Sequence, residues 1–494
     1  MTDTNIENMA TFFKKKGFVY QNSEIYGGLS GFFDYGPLGV EVKNNIKQQW
    51  WKRFVQSRQD VVGIDGSIVS HQKVWQASGH VGCFGDLLVE CNKCNQRHRA
   101  DHLVEEELNV MAEGMPKEGL DKLIKQNNLK CPACKGELSK AREFNLMFKT
   151  FVGPVEKDEN VAYLRPETAQ LIFTNFKLIT ETARVQLPFG IAQMGRAFRN
   201  EISPRDFLFR CREFEQMELE YFIHPDEKKC SLLGKKDQNY EFQILTAEMQ
   251  DKKKKAHNKM KIKDMLKIDL LGEWHAYWLM QQYQWFVDFG IKKENLRLRE
   301  HTKDEVAHYS SACFDIEYKF PFGWQEIHGM ANRGSFDLEQ HQKHSKKKME
   351  LFDEASKKKV LPGVIEPSQG TDRAFLAFMF DAYHDDKKRG NVVLKLHSKL
   401  APIQVGVFPL VNKLNDKGME VYNMLKDEFV CFYDKSGSVG RRYARADESG
   451  IPYCLTIDFE TIEKDGCVTL RNRDTTKQER VKIEELKDKL KTLF

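Results

Sequence analysis

The chain has 494 residues, with 77 Lys or Arg against 72 Asp or Glu, a formal net charge of +5. Its 41% hydrophobic content supplies ordinary cores and excludes a disordered chain, and at about 150 residues per domain the length predicts roughly two to four domains. No apolar run approaches about 18 residues, so no transmembrane helix is expected. The N-terminal MTDTNIENMATFFKKKGF has no apolar stretch after its charges, which predicts a soluble, cytoplasmic protein.

Glycine-rich turns at Gly27-Gly28, Gly31 and Gly36-Pro37 precede a predicted helix from Val40 to Phe54, with Trp50 and Trp51 on its later turns. Residues 86–145 read as an insertion that carries Cys91-x-x-Cys94 and Cys131-x-x-Cys134 around a charged helical segment, Leu103 to Asn127. Each pair can place two thiolates on one tetrahedral ion, so a structural zinc is expected, with two unrelated pairs of free thiols as the alternative. From 161 to 223 the pattern reads as strands on both sides of a polar loop. Residues 225–300 read as a helical, lysine-rich insertion, whose part 225–265 (Lys252 to Lys255, Lys259, Lys261, Lys263) is a solvated excursion in preference to an RNA-facing arm. Strand patterns return at 313–330 and 360–367, and a helix begins near Thr371.

Residues 1–397 therefore form one predicted core, and 398–494 a separate α/β unit. The latter reads as a strand from Ile403 to Leu410, a helix from Lys417 to Phe429 and a strand from Val430 to Tyr433. A basic helix, Gly440 to Glu448, and a strand, Tyr453 to Ile457, follow, and an Asp465-Gly466 turn joins two last strands.

Two segments carry the chemistry. In IAQMGRAFRNEISPRDFLFRCREFEQMELEYF (191–222) a hairpin sets Gln193, Arg199 and Glu201 on one face of its first strand. The returning strand sets Arg210, Arg212, Phe214, Gln216, Glu218 and Glu220 on one face. Guanidinium groups pair with phosphate oxygens and a ring stacks on a base, so this face suits a nucleotide; the alternative is a solvated face laced with salt bridges. In VIEPSQGTDR (364–373) an apolar strand ends at Glu366, Pro367 stops the ladder, and Gly370 turns into a helix capped by Thr371 or Asp372. Arg373 then lies where the helix dipole disfavours a cation, which points to an anion held there; the alternative is a pair with Asp372 or another acid.

These segments resemble the second and third signature motifs of class II aminoacyl-tRNA synthetases. With YGGLSGFFDYGPLGVEVKNNIKQQWW, VWQASGH, RADHLVEEEL, YLRPETAQLIF and GWQEIHGMANRGSFDL, and APIQVGVFPL beyond them, the chain is similar to the bacterial-type homodimeric glycyl-tRNA synthetases. The resemblance implies an α+β fold: a class II antiparallel sheet of six or seven strands flanked by helices, a zinc-binding insertion and a C-terminal α/β anticodon-binding domain. It implies activation of glycine by ATP with Mg2+ to glycyl-adenylate, release of pyrophosphate, and transfer to the 3′ end of glycine tRNA. The implied assembly is a homodimer without a membrane partner.

The implied ATP contacts are Arg199, Asn200, Glu201, Phe209, Arg210, Cys211, Arg212, Glu213, Phe214, Glu326, Ile327, Gly370, Thr371, Asp372 and Arg373. Arg199, Arg210, Arg373 and Glu326 form the catalytic set, Phe214 stacks on adenine, and Glu326 is a magnesium ligand. The implied glycine contacts are Arg99, Glu167, Phe214, Glu215, Gln216, Met217, Glu218, Glu366, Pro367, Ser368, Gln369 and Gly370. The zinc ligands are Cys91, Cys94, Cys131 and Cys134. In the basic helix, Arg441, Arg442, Tyr443 and Arg445 face either RNA or solvent. Gln72 stands where the family usually has a proline near its dimer interface, and Asp86-Leu87 replaces a more usual Asp-Pro. Two other readings are a different class II synthetase, opposed by RPETAQ and EPSQGTDR, and a non-catalytic nucleic-acid-binding subunit, which could lose the arginines that this chain keeps.

Overall fold

The computed structural model describes residues 4–110, 112, 114–252, 257–303, 305 and 312–494. Lys253, Lys254 and Lys255 of the lysine run lie outside them. Nine strands make the central sheet: β1 (Val61–Ile64), β2 (Phe189–Phe198), β3 (Glu213–Ile223), β4 (Glu241–Leu245), β5 (Asn258–Lys261), β6 (Leu296–Glu300), β7 (Ala312–Phe320), β8 (Gly323–Gly334) and β9 (Gly363–Gly370). Their order is β5-β4-β6-β7-β8-β9-β3-β2-β1, antiparallel except for the β2–β1 and β4–β6 pairs. The helices that matter for the site are α1 (Pro37–Trp51), α2 (Ala169–Ala183), α3 (Glu273–Asp288), α4 (Phe336–Ser345) and α5 (Thr371–Ala382).

The sheet is wider than the six or seven strands expected, because the segment read as helical, 225–300, contributes β4, β5 and β6 as well as α3. In β4 Phe242 and Ile244 alternate inward, a period-two signal too short to stand out among lysines. Conversely, α2 falls inside a stretch read as strands. Its Ala169, Ile172, Phe173 and Phe176 are buried at helical spacing, whereas its Ile and Thr content suggests a strand. Helix α1 starts at Pro37, whose fixed φ and missing N–H suit a first helical position, and buries Val42, Ile46 and Trp50 at four-residue intervals.

Alternation along β3 and β9 gives the sheet two different faces. Met217, Leu219, Tyr221 and Ile365 join Val42 and Ile46 of α1, Trp278 of α3 and Phe375 of α5 in the main core. On the other face Phe222 and Val364 pack under Phe173 and Phe176 of α2 and Leu338 of α4. The rest of that face carries Phe214, Gln216, Glu218, Glu366 and Ser368. Pro367 does not end its strand. Pairing of β9 with β3 runs from Gln216–Gly370 to Glu218–Ser368, lapses opposite Pro367 and resumes in the same register at Tyr221–Ile365. The missing N–H interrupts the ladder without terminating it.

The insertion builds a three-stranded antiparallel sheet, Gly85–Glu90 with Arg97–Arg99 and Arg142–Asn145. Two helices, Ala100–Leu108 and Lys117–Gln126, replace the single one expected, because the chain passes through Pro116 before the second. The C-terminal unit has five strands, β10 (Val405–Pro409), β11 (Cys431–Tyr433), β12 (Tyr453–Ile457), β13 (Cys467–Asn472) and β14 (Gln478–Lys482), ordered β11-β10-β12-β13-β14. Helices α6 (Asn415–Leu425) and α7 (Val439–Ser449) belong to it, and it has its own apolar core. Asp465-Gly466 joins a short helix, Phe459–Glu463, to β13 rather than joining two strands. The β13–β14 hairpin turns instead after Asn472, whose side chain accepts the N–H groups of Asp474 and Thr475.

Candidate active site

The uncovered part of the sheet gathers cations at one end. Arg199, just beyond β2, donates from Nε to the Pro166 carbonyl at 3.0 Å, and its guanidinium lies 5.2 Å from the centroid of the Phe214 ring. Arg210 donates to Glu201 at 2.7 Å and stands 3.9 Å from Asp86. Arg373, in the first turn of α5, reaches across to β8: its Nη1 donates to Glu326 Oε2 at 2.8 Å, and it lies 4.4 Å above the Phe209 ring. Arg373 and Glu326 keep 29% and 44% of their side-chain surface in solvent, so a ligand can reach both. Burial works to raise the Glu326 carboxyl, yet Arg373 holds it below its ordinary value.

Several residues expected in the site face elsewhere. Arg212 donates to the carbonyls of Glu201 at 2.9 Å and Ser30 at 2.8 Å and so fastens a loop. Glu213 pairs with Arg196. Asp372 does not cap α5, whose N-cap is Gly370 without a side-chain bond. Its carboxylate accepts the Glu215 N–H at 2.7 Å and Lys43 at 3.0 Å, and Glu215 itself pairs with Lys43 and Lys47. Asp372, Glu215 and Lys43 thus clamp α5, β3 and α1 together on the face opposite Phe214. Met217 and Ile327 lie in the main core. Pro367 and Gln369 alternate away from Glu366 and Ser368. The Cys211 thiol is raised by burial and donates to the Phe207 carbonyl. Asn200 contributes its N–H to the Leu146 carbonyl, and Thr371 is fully buried.

Carboxylates collect at the other end. Glu218 is 2% exposed and accepts from the Thr168 N–H at 3.0 Å, the Thr168 hydroxyl, Gln216 at 2.8 Å and Ser368 at 2.6 Å. Burial and the nearby Glu167 raise it. Glu366 pairs with Arg333 at 2.9 Å, and burial lifts its carboxyl to about 8. Glu167 lies 3.3 Å from His80 and accepts from Gln170 at 3.0 Å. Arg99 pairs with Asp86 at 3.3 Å and with Asp101. The sequence reading gave no site role to Arg333, His80, Thr168, Gln170 or Asp86, the last noted only for the residue that follows it. Arg333 and Asp337, spaced four apart and joined at 2.7 Å, were the available signal.

Two arrangements suit metals. Glu326 Oε1 and Asp315 Oδ1 converge above Gly329, 3.6 and 4.0 Å from where a Cβ would sit. Asp315, also overlooked, is raised to about 6 by burial and Glu326, and lies 2.7 Å from His301. Two hard oxygens over a glycine fit a magnesium ion. In the insertion, the sulfurs of Cys91, Cys94, Cys131 and Cys134 all lie within 4.8 Å of one another, with Cys91–Cys134 at 3.4 Å and Cys94–Cys131 at 3.7 Å. Tetrahedral zinc sets its sulfurs about 3.8 Å apart, so this donor set fits zinc. In the basic helix α7, Arg442 is buried against the Pro409 and Gly437 carbonyls, Arg445 pairs with Asp434 at 2.6 Å, and Tyr443 bonds Thr456. Of the four residues named there, Arg442 and Tyr443 face inward, Arg445 is exposed but paired, and Arg441 is exposed.

A family model described as tRNA synthetase class II core domain (G, H, P, S and T) matches residues 151–267, and one described as anticodon binding domain matches 404–493. A glycine–tRNA ligase of Acetivibrio thermocellus is 46% identical, over 97% of this chain and 96% of that protein. One from Clostridium kluyveri is 46% identical over 99% and 98%, and one from Geobacillus thermodenitrificans 44% over 98% and 96%. A crystal structure of a prolyl-tRNA synthetase from Cryptosporidium parvum, complexed with L-proline and AMP, superposes with a TM-score of 0.58 at 14% identity. It covers 99% of this chain and 75% of its own, a likeness of fold. Among the described residues no helix is long and apolar enough to cross a membrane.

Proposed function

The chain belongs to the glycine–tRNA ligases, class II aminoacyl-tRNA synthetases, and from that premise we propose how its own residues carry out the two steps of the reaction. It activates glycine with ATP to glycyl-adenylate and pyrophosphate and then transfers the glycyl group to the 3′ end of glycine tRNA. In activation a glycine carboxylate oxygen attacks the α-phosphorus, a P–O bond forms, and the bond to the β-phosphate breaks. Arg199, Arg210 and Arg373 hold the phosphates in line and offset the charge on their oxygens, with Phe214 against the adenine. Glu326 and Asp315 hold magnesium, which when bound supplies further positive charge to the phosphates. A phosphate that took the Arg373 guanidinium would leave Glu326, with Asp315, as the residues that would hold the ion.

The observation that carries the amino-acid assignment is Glu218, buried and oriented by Thr168, Gln216 and Ser368. A pocket ringed by Glu167, Glu218 and Glu366 receives an ammonium group and leaves no room for a β-carbon. Glycine has no smaller competitor, so exclusion by size is sufficient without editing. Zinc on the four cysteines stiffens the insertion, the C-terminal unit takes the anticodon end of the tRNA, and the enzyme works as a homodimer.

Amino-acid-dependent ATP–pyrophosphate exchange with all twenty amino acids and no tRNA tests this reading. Exchange with glycine alone is expected. Exchange with a different amino acid would overturn the pocket, and none at all in folded protein with magnesium would overturn the catalytic assignments.

A further inference from the structure

Glu220 lies two residues beyond Glu218 on the site face of β3 and is fully buried, yet neither carboxyl oxygen has a hydrogen-bond partner among the described residues. On β2 it stands opposite Ile191, an apolar neighbour. On β9, the register that pairs Glu218 with Ser368 and Tyr221 with Ile365 sets Glu220 across from Glu366. Opposed residues of an antiparallel pair bring their Cβ atoms within about 4.5–5.5 Å. Two carboxyl groups therefore share one small buried space.

The other charges facing that space are mostly of the same sign. Strand β3 adds Glu218, the turn before α2 adds Glu167, β8 adds Arg333, α4 adds Asp337 and His341, and His80 lies against Glu167. Arg333 already serves Asp337 and Glu366. His341 bonds Gln170 and is lowered to about 4 by burial, so it adds no charge at neutral pH. His80 holds Glu167 low and the Arg165 guanidinium acts on Glu218, which leaves Glu220, Glu366 and Asp337 around the Arg333 guanidinium, and the two opposed carboxyls cannot both ionise in a dry interior. Adjacent carboxyls in that situation keep a proton between them. Burial and Glu366 accordingly push Glu220 far above the ordinary carboxyl range, and Glu366 is itself raised to about 8.

We propose that Glu220 is a positioning residue for amino-acid selection: with Glu366 it forms a proton-holding carboxyl pair, and the ammonium group of entering glycine displaces that proton to solvent. The pocket then discriminates by charge where the substrate has no side chain to recognise. An uncharged amine or an N-acylated glycine cannot discharge the proton and is refused. This rests on the glycine pocket described above.

Calorimetric titration of the full-length protein with glycine, in phosphate and in Tris at one pH, tests it. The two buffers differ in ionisation enthalpy, so the difference in heat counts protons released. At pH 7 about half to one proton per glycine is expected, with affinity rising up to about tenfold per pH unit between pH 6 and 8. In Glu220→Gln, which keeps size and hydrogen-bonding capacity, Glu366 ionises at lower pH. Release at pH 7 then falls by about four-tenths of a proton and the affinity profile moves down by about one pH unit. Glycine heats identical in both buffers would overturn the proposal, as would an unshifted profile in the variant. If that variant does not fold, Glu220→Leu read by the same buffer pair takes its place, and identical heats in wild type overturn the proposal by themselves. Absence of any glycine binding by folded wild type would instead overturn the glycine pocket itself.

Discussion

Arg373 sits in the first turn of α5, where a cation opposes the helix dipole, and in the free protein Glu326 neutralises it at 2.8 Å. A phosphate that replaces this carboxylate would gain both the guanidinium and the helix end. Arg373→Ala should lower pyrophosphate exchange by about 10²–10³-fold, the usual loss for one preorganised charge donor. Its thermal unfolding should hardly move, because the side chain is 29% exposed and fills no core space. Near-normal exchange in that variant would remove the phosphate role. Period-two alternation in the sequence set Arg210 and Arg212 on one face of the returning strand, but that strand begins only at Glu213, and both arginines sit in the turn before it. Their duties are separated by the Ser30 carbonyl, 182 residues away in the chain, which takes the Arg212 guanidinium out of the site. The same limit hid Arg333, whose meaning depends on Glu366 from another strand and Asp337 from a helix.

At the level of elements, strands with clean alternation were readable and those at the sheet edge were not. Strands β2, β3, β7 and β9 are buried over long continuous runs, whereas β4 and β5 are short and only partly buried, with lysines alongside. Alternation also decides which members of a contiguous motif share the face that carries the carboxylates: Glu218 and Ser368 do, Met217 and Gln369 do not. The cysteine knuckles were legible because their spacing alone creates the chelate. Their closeness adds a constraint on Gly136, where a Cβ would come within 2.8 Å of Cys91 Sγ and 3.2 Å of Cys134 Sγ. Gly136→Ala should therefore weaken metal retention without removing a ligand. Zinc content after dialysis against a graded chelator series measures this, and the variant should lose its metal at a chelator strength roughly tenfold lower than wild type. Equal retention would show that the knuckle gives way easily, and a metal-free wild type, freshly purified, would remove the zinc assignment.

Across the whole molecule, a small group of buried charges joins the C-terminal unit to the synthetase core. Asp447 of α7 pairs with Arg471 of β13 at 2.8 Å and with Arg389 of the core at 3.0 Å, while Arg473 donates to the Leu396 carbonyl of the core at 2.7 Å. Asp447 is 1% exposed, so Asp447→Ala leaves two guanidinium groups facing each other with no carboxylate between them. Removing one partner of a buried ion pair costs about 3–5 kcal/mol, and here the cost falls on the seam between the units. All seven tryptophans lie at or before residue 324, so tryptophan fluorescence reports the core alone, whereas far-ultraviolet circular dichroism reports both units. In the variant, urea should produce an early dichroism transition that fluorescence does not register. Pyrophosphate exchange should stay within about twofold of wild type, because Asp447 touches none of the activation residues and distant effects add independently. Glycylation of tRNA should fall much further, since the reacting end and the anticodon end of the tRNA must be held at a fixed separation. Coincident transitions at the wild-type midpoint, with both activities reduced equally, would mean that the seam is held by apolar contacts and that the two units act as one.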